Sequence, residues 1–352
     1  MTGFGQTAAV FGCAGPVLGS NEAAFFADCQ PFGFILFARN VETPEQLRRL
    51  TGDLRDAVGR DVLILTDQEG GRVQRLGAPY WREWTAPLDF VVAAGKDAAR
   101  AMELRYRLIA RELRAVGING NCAPSGDLAR AETHGFLKNR CYGSDPDKVA
   151  QIALAVARGL ILEGVWPVIK HLPGHGRSQA DTHVDLPKVT ASREELHATD
   201  FAPFKILADL PFAMTAHIVY SAYDTRPATQ SAELIRVIRD EIGFGGLLMT
   251  DDLNMQALSG SLYERTTLSM AAGCDLALHC KGDLAEMQMV ATAASTLRAD
   301  TLARAARVLV DFPNRPAPDT DAPDTDALDT AALDAELQSL MPRQGSHDAP
   351  VR

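Results

Sequence analysis

Residues 170–183 read KHLPGHGRSQADTH, a stretch in which three histidines, a lysine and an aspartate stand close together. Pro173 and the glycines beside it keep the stretch from being helical. Because such polar side chains do not help to bury a core, their density points to chemistry. Three kinds of site use these residue types: a metal site, a phosphate-binding loop and an acid–base pair.

The metal and phosphate interpretations each lack a required feature. His171 and His175 have the spacing of helical zinc sites, but Pro173 excludes the helix and no glutamate follows the first histidine. A metal held on a coil by His171, His175, Asp181 and His183 remains an alternative, as does a plain surface loop. PGHG lacks the lysine and the following helix of a phosphate loop. We therefore expect no metal and no other cofactor.

Acid–base chemistry fits Asp181 and His183 better. They are two residues apart, so on an extended segment both side chains project to the same side. An aspartate bonded to one ring nitrogen raises the pKa of the imidazole from about 6.5 towards neutrality, so the histidine can donate a proton and later take it back. The candidate partner is Asp251 of MTDDLNM, which follows an apolar run. A helix N-cap is the alternative for Asp251 and suits Asp252.

Further charged side chains are candidates for holding a ligand. DQEGGRVQRL places Asp67 after the apolar run DVLILT, and Arg72 and Arg75 follow a double glycine that lets the backbone turn. A carboxylate beside arginines suits a carbohydrate or a ligand that carries a carboxylate. An internal Asp–Arg pair that stabilises the loop is the alternative. NRCYGSDP adds Arg140, which by itself would rank as a surface residue.

The elements that must position these residues are short apolar runs separated by amphipathic segments. We predict strands at AAVFG, GFILFA, DVLILT, GINGN, WPVI, PFAMTA, GGLLMT and CDLALH. The helical patterns between them, two of which begin at Thr43–Pro44 and Asp145–Pro146, indicate parallel βα units. Charged or imidazole groups follow one strand after another, whereas a doubly wound sheet would gather them at one switch point. We predict an α/β fold, a (β/α)8 TIM-type barrel.

Composition narrows the class of protein. The chain has 352 residues, is 46% hydrophobic and carries a formal net charge of −10, which argues against nucleic acid as a partner. Its six cysteines form no CxxC pair, which favours buried free thiols in a reducing compartment. The N-terminal apolar run lacks a basic region before it, and no stretch has the length to cross a bilayer. We expect a cytoplasmic protein without membrane contact.

The C-terminal residues 315–352 differ from the rest of the chain. RPAPDTDAPDTDALDTAALDAELQS is a degenerate repeat of Asp, Thr, Ala and Pro with few large apolar residues. Such a segment does not bury enough surface to offset its ordering entropy. We predict one barrel domain at residues 1–314 followed by a disordered acidic tail, with a short helix around TAALDAELQSLM as the alternative.

Together these motifs resemble glycoside hydrolase family 3, specifically its single-domain β-N-acetylglucosaminidases of the NagZ type. The matching stretches, in the order of the family, are GFILFARN, DQEGGRVQR, NRCYGSDP, KHLPGHG with DTH, MTAH, MTDDLNM and AGCD. They cover roughly residues 8–310. The resemblance implies that His183 is the general acid/base, that Asp181 orients it and that Asp251 is the nucleophile. It also implies a set of residues that hold N-acetylglucosamine: Asp67, Arg75, Arg140, Lys170 and His171.

The resemblance implies a retaining exo-β-N-acetylglucosaminidase that releases terminal N-acetylglucosamine from muropeptides in peptidoglycan recycling. We expect it to act as a monomer. The alternatives are a glycoside phosphorylase or a broader β-glycosidase of the same family, and a barrel that binds sugars without turning them over. Two departures from the family pattern stand out. Thr182 replaces the commoner serine, and Ser125–Gly126 replaces two apolar residues, an exchange that we expect to loosen a strand end.

Overall fold

A computed structural model of the chain describes residues 3–178, 186–311 and 325–342, and within them eight parallel strands form a closed barrel. Each of the eight predicted apolar runs contributes one strand. In chain order these are β1 Thr7–Gly12, β2 Pro31–Leu36, β3 Leu63–Thr66, β4 Gly120–Asn121, β5 Trp166–Leu172, β6 Phe212–Thr215, β7 Leu247–Asp252 and β8 Leu276–His279. Strand β1 pairs with both β2 and β8, which closes the ring. The predicted (β/α)8 barrel is confirmed.

Helices surround the barrel and connect its strands. Their bounds are α1 Ser20–Cys29, α2 Pro44–Val58, α3 Pro87–Ala94, α4 Ala98–Arg114, α5 Gly135–Lys138, α6 Pro146–Leu162, α7 Arg193–Ala198, α8 Ala202–Ile206, α9 Ala232–Arg236, α10 Leu262–Ala272, α11 Leu284–Ala294, α12 Ala299–Asp311 and α13 Thr325–Leu340. The predicted caps of α2 and α6 are confirmed, because the side chains of Thr43 and Asp145 accept hydrogen bonds from the backbone N–H groups of Gln46 and Lys148.

Helices α4 and α6 approach each other closely at Gly159. A Cβ added to Gly159 would lie 2.5 Å from the carbonyl oxygen of Glu103 on α4, which is too close for any side chain. The missing side chain therefore allows the two backbones to meet. Helix α4 matters for the site because it packs behind the segment that follows β3.

Part of the C-terminal segment is helical, which differs from the disorder expected for residues 315–352. Helix α13 packs on α4 through Leu333 and Leu337, which are each 4% exposed. Its acidic side chains form four ion pairs with basic residues: Arg107–Asp329, Arg111–Asp329, Arg82–Asp334 and Arg100–Glu336. The helix overlaps TAALDAELQSLM, the stretch around which a short helix was the alternative prediction, and begins before it. The domain boundary at residue 314 stays a prediction.

Two further features concern the whole described chain. All six cysteines lie within the described residues and are free, and four of them are buried. Among residues 3–178, 186–311 and 325–342, no helix combines the length and the apolar character that crossing a bilayer requires.

Candidate active site

A cavity of about 380 Å³ opens where the carboxyl ends of the strands meet. This is the face on which barrel enzymes place their catalytic groups. Six of the eight predicted site residues line it: Asp67, Arg75, Arg140, Lys170, His171 and Asp251. The other two, Asp181 and His183, lie outside the described residues. These six residues, which the strand ends, the loop after Asp67 and the family resemblance selected from distant parts of the sequence, therefore converge on one cavity.

Asp67 stands directly after β3 and carries two cationic partners. Its Oδ1 accepts a hydrogen bond from Lys170 Nζ at 3.0 Å, and its Oδ2 accepts one from Arg75 at 2.9 Å. Burial alone would raise the pKa of Asp67, but the charges of Lys170 and Arg75 outweigh it and hold the pKa well below its usual range. The carboxylate is therefore ionised and has a fixed orientation.

Glu69 belongs to the same cluster, although the sequence reasoning did not select it. Its carboxylate is 2% exposed and accepts two hydrogen bonds from the Arg140 guanidinium at 2.7 and 2.9 Å. Lys170 Nζ lies 2.6 Å from Glu69 Oε1. Burial opposes ionisation, but Arg140 and Lys170 lower the pKa of Glu69 to about 2. The signal in the sequence was its place in DQEGG, two residues beyond Asp67.

His171 is oriented by Asp127, a second residue that the sequence reasoning missed. His171 Nδ1 lies 2.7 Å from Asp127 Oδ2, and the backbone N–H groups of His171 and His175 donate to Asp127 Oδ1 at 3.3 and 2.7 Å. Burial opposes the ionised form of Asp127, but these contacts hold its pKa well below its usual range. The carboxylate accepts from Nδ1–H and thereby fixes the orientation of the His171 ring.

The Ser125–Gly126 exchange does not leave the end of β4 loose. Ser125 is 2% exposed, and its hydroxyl lies 3.2 Å from Asp127 Oδ2. A Cβ on Gly126 would come within 2.7 Å of the Phe204 ring, so the aromatic side chain occupies the space that a larger residue would need. The structure thus differs from the expected loosening, because a hydroxyl and a neighbouring ring fill the site.

Asp251 lies near the end of β7, and its carboxylate is held by the next peptide group. The backbone N–H of Asp252 donates to Asp251 Oδ1 at 2.8 Å, which leaves Oδ2 for a ligand. Burial opposes ionisation, but His217 and His171 lower the pKa of Asp251 below its usual value. The carboxylate is therefore ionised at neutral pH, as a nucleophile must be.

Asp252 is not the helix cap that the sequence suggested, because the next helix, α10, begins at Leu262. Its Oδ1 instead accepts from the backbone N–H groups of Asn254 and Cys280, at 3.2 and 3.1 Å. Burial raises the pKa of Asp252 to about 6. The pKa values of the two adjacent carboxylates are thus shifted in opposite directions. Asp252 accepts hydrogen bonds that hold the backbone next to the predicted nucleophile Asp251.

His217 lies next to this pair. Its Nε2 is 3.1 Å from the carbonyl oxygen of Asp252, which can only accept, so Nε2 carries the proton. Its Nδ1 is 2.7 Å from the hydroxyl of Thr229. Burial lowers the pKa of His217. The sequence placed His217 after a strand but gave it no role in the site.

Metal binding has little support within the described part of the site. His171 and His175 lie on and just after β5, with ring centroids 5.3 Å apart, and burial lowers the pKa of His175 to about 4. Among the described residues there is no group of three or more His, Cys, Asp or Glu side chains arranged to hold a metal ion. Asp181 and His183, which the coil-type metal alternative needs, lie outside those residues.

Comparison with known proteins gives one consistent family. Residues 19–310 match the glycosyl hydrolase family 3 N terminal domain. The β-hexosaminidase of Alkalilimnicola ehrlichii is 38% identical over 281 residues, covering 77% of this chain and 80% of that protein. The β-hexosaminidase of Pseudomonas aeruginosa is 36% identical over 280 residues, covering 78% of this chain and 82% of that protein.

Solved structures agree with this family. The crystal structure of native NagZ from Neisseria gonorrhoeae superposes with a TM-score of 0.83 at 30% identity and covers 96% of this chain and 99% of that chain. The same protein in complex with zinc ion gives a TM-score of 0.81 at 29% identity, with the same coverage. The chain belongs to glycosyl hydrolase family 3, as its motifs predicted, and it is a glycoside hydrolase.

Proposed function

We propose that the protein is a retaining exo-β-N-acetylglucosaminidase in which Asp251 is the nucleophile. The observation that carries this proposal is the ionised Asp251 carboxylate, which lies in the same cavity as the five residues predicted to hold the sugar. One oxygen of Asp251 is held by a backbone N–H and the other is available. A retaining glycosidase needs such a carboxylate on one side of the glycosidic bond.

The reaction proceeds in two steps on this basis. Asp251 attacks the anomeric carbon and forms a covalent glycosyl-enzyme, while His183 gives its proton to the leaving oxygen. Neutral His183 then takes a proton from water while the water oxygen attacks the anomeric carbon, which breaks the bond to Asp251 and releases the sugar. Asp181 orients His183. The roles of Asp181 and His183 rest on the motif resemblance.

The sugar is held by the buried charged cluster. The Asp67 carboxylate and the surrounding Lys170, Arg75 and Arg140 offer charged acceptors and donors to sugar hydroxyls, and His171 adds an imidazole that is oriented by Asp127. Charge-assisted hydrogen bonds of this kind discriminate between hydroxyl arrangements, because a hydroxyl in another position leaves one of these hydrogen bonds unmade.

The natural substrate that we infer is a muropeptide whose terminal N-acetylglucosamine is β-1,4-linked to anhydro-N-acetylmuramic acid. Such a ligand is anionic, and the cavity is lined by four cationic side chains, Arg72, Arg75, Arg140 and Lys170, although the whole chain has a net charge of −10. We also infer that the enzyme acts in peptidoglycan recycling in the cytoplasm, as a monomer and without nucleic acid or membrane partners. The named relatives, which are β-hexosaminidases, are consistent with this activity.

Release of 4-nitrophenol from 4-nitrophenyl β-N-acetylglucosaminide tests the proposal. We expect activity in the wild type, with and without a chelator, and a loss of about 10³-fold or more in Asp251→Ala. The exposed Asp53→Ala serves as the control and keeps full activity. An inactive wild type, or an active Asp251→Ala, refutes the mechanism, and inhibition by the chelator supports the metal alternative.

The remaining alternatives separate in the same assay. We expect a moderate loss in His183→Ala, because nitrophenol leaves without much protonation, and a larger loss on a disaccharide. Free N-acetylglucosamine as the product in phosphate buffer supports hydrolysis, whereas a sugar 1-phosphate establishes a phosphorylase. Comparable turnover of the β-glucoside establishes a broader β-glycosidase.

A further inference from the structure

His279, the last residue of β8, is a buried imidazole outside the cavity lining and has no part in the mechanism so far. Its side chain is 0% exposed, and its Nδ1 lies 2.9 Å from the side-chain amide nitrogen of Asn254. An amide NH₂ group only donates, so His279 Nδ1 accepts and Nε2 carries the proton. Burial lowers the pKa of His279 to about 4, which keeps the ring neutral and able to accept.

The other ring nitrogen of His279, Nε2, has no contact of comparable length among the described residues. His279 Nε2 is 3.7 Å from Glu286 Oε2, beyond hydrogen-bonding distance, and neither atom has another partner among the described residues. Glu286 is tied instead to Lys281 at the surface, with 2.7 Å between the charged atoms. The short contact of His279 is therefore the one to Asn254.

Hydrogen bonds connect Asn254 to the carboxylate of Asp251. Its backbone N–H donates to Asp252 Oδ1, which also accepts from the N–H of Cys280, the residue after His279. The N–H of Asp252 in turn donates to Asp251 Oδ1. His279 and Cys280 thus hold the segment 252–254 from the side chain and from the backbone, and this segment holds Asp251.

We propose that His279 and Asn254 are positioning residues that fix the rotamer of the nucleophile Asp251 through the hydrogen-bonded segment 252–254. The inference rests on the proposed function, since the series of hydrogen bonds that begins at His279 ends on the predicted nucleophile Asp251. With Oδ1 held, Oδ2 is left for the substrate. Without the Nδ1 acceptor, Asn254 loses its side-chain anchor, and the peptide group that orients Asp251 is held less firmly. A displacement of about 1 Å at a reacting group can lower the rate 10²-fold.

Paired variants test this inference on the full chain. His279→Leu removes the acceptor and keeps most of the volume, whereas His279→Asn restores an acceptor near the position of Nδ1. Met287→Leu on α11, also 0% exposed, controls for a simple change in core packing. The measurements are kcat and KM for 4-nitrophenyl β-N-acetylglucosaminide, the thermal midpoint, and the rate at which a 5-fluoro glycosyl fluoride labels Asp251.

We expect His279→Leu to lower kcat and the labelling rate by about 10- to 100-fold with KM within about 3-fold, and His279→Asn to recover most of that loss. Met287→Leu keeps kcat. If His279→Leu does not fold, Asn254→Ala, at a half-buried position, carries the test with an expected loss of about 10-fold.

The inference is overturned if His279→Leu or Asn254→Ala keeps the wild-type kcat, or if His279→Leu and His279→Asn lose activity equally. The proposed function fails differently, through an inactive wild type or an active Asp251→Ala. An active wild type, an inactive Asp251→Ala and an unchanged His279→Leu therefore reject the positioning role alone.

Discussion

Lys170 Nζ lies 2.6 Å from Glu69 Oε1, and neither side chain is more than 2% exposed. The same ammonium group reaches Asp67 Oδ1 at 3.0 Å. One buried cation thus joins the Asp67 carboxylate, which lines the cavity, to the Glu69 carboxylate, which is itself paired with Arg140. The groups that we propose to hold the sugar are therefore held in place by their own ion pairs.

Replacing Glu69 should therefore destabilise the fold as well as the site. Glu69→Gln removes the negative charge between Arg140 and Lys170, and breaking a buried pair from one side typically costs about 3–5 kcal/mol. We expect a loss near the lower end of that range, since the amide still accepts one hydrogen bond, together with a raised KM. Chemical denaturation measures the loss in the free energy of unfolding. Glu233→Gln, which breaks an exposed pair with Arg236, should change stability by less than about 1 kcal/mol. Equal losses in the two variants would argue against a stabilising buried cluster.

The buried carboxylates also set the acid stability. The pKa of Glu69 is lowered to about 2, and those of Asp67 and Asp127 are held below their usual range. A lowered pKa contributes stability that is complete above the ordinary pKa of about 4.5 and is lost as the pH falls through the folded-state value. The free energy of unfolding should decrease between pH 4.5 and pH 2, and less steeply in Glu69→Gln. Identical slopes would show that Glu69 does not take part.

For Glu112 on α4, we expect the opposite dependence of the free energy of unfolding on pH. Burial raises its pKa from 4.5 to about 7, against a long contact with the backbone N–H of Arg82, and its Oε2 has no partner in the described part of the chain. Its contribution to stability is complete below pH 4.5 and is lost as the pH rises through 7. Glu112→Gln should gain on the order of 1 kcal/mol relative to wild type between pH 5.5 and pH 8.5, after allowance for solvent screening. Parallel pH profiles of unfolding would contradict this.

Asp127→Asn should invert the hydrogen-bonding role of His171. An amide NH₂ at this position would donate to Nδ1, so that Nε2 would carry the proton and donate into the cavity. We expect kcat/KM to fall about 10- to 100-fold, or 1.4–2.8 kcal/mol. Ser125→Ala, which removes only the hydroxyl at 3.2 Å from Asp127, should stay within about 3-fold of wild type. An unchanged kcat/KM in Asp127→Asn would mean that the tautomer of His171 is not important.

The docking of α13 on α4 depends on two leucines. Leu337→Asp should undock the helix, because Leu337 is 4% exposed against α4 and a charge there would lose its hydration. We expect hydrogen exchange of the α13 amides to quicken by about 30-fold or more, which corresponds to about 2 kcal/mol of local stability. The exposed Ala335→Ser is the control. Unchanged protection in Leu337→Asp would show that the leucine contact does not hold the helix.

The barrel was predictable because buried parallel strands are continuous apolar runs, and six of the eight runs here lead into a charged or imidazole group. Asp67, Lys170 and Asp251 could be selected for that reason. The weak run GINGN was also correct, but it forms only the two-residue strand Gly120–Asn121. A Cβ at Gly120 would come within 2.4 Å of the Leu65 side chain, so the glycine that weakens the pattern is what lets the strand fit.

Other features depend on partners far along the chain. Asp127 acquires its role from His171, 44 residues away, and no local pattern marks that contact. The acidic composition of residues 315–352 indicated disorder, because composition does not show that Arg111 and its neighbours on α4 supply the opposite charges. Asp252 was assigned to a helix cap, but its acceptor oxygen is used by the backbone of Cys280.

Two of the three tryptophans, Trp81 and Trp84, lie in the segment that packs against the Gly70–Gly71 turn beside the site. Arg105 and Arg82 stand over the Trp84 ring at 5.2 and 4.9 Å, and the carbonyl oxygen of Trp84 accepts from the N–H of Gly71 at 2.7 Å. The protein thus carries a built-in optical probe close to the proposed sugar-binding cavity. A change in intrinsic emission on adding N-acetylglucosamine would report occupancy of the cavity without a chromogenic substrate or an attached dye.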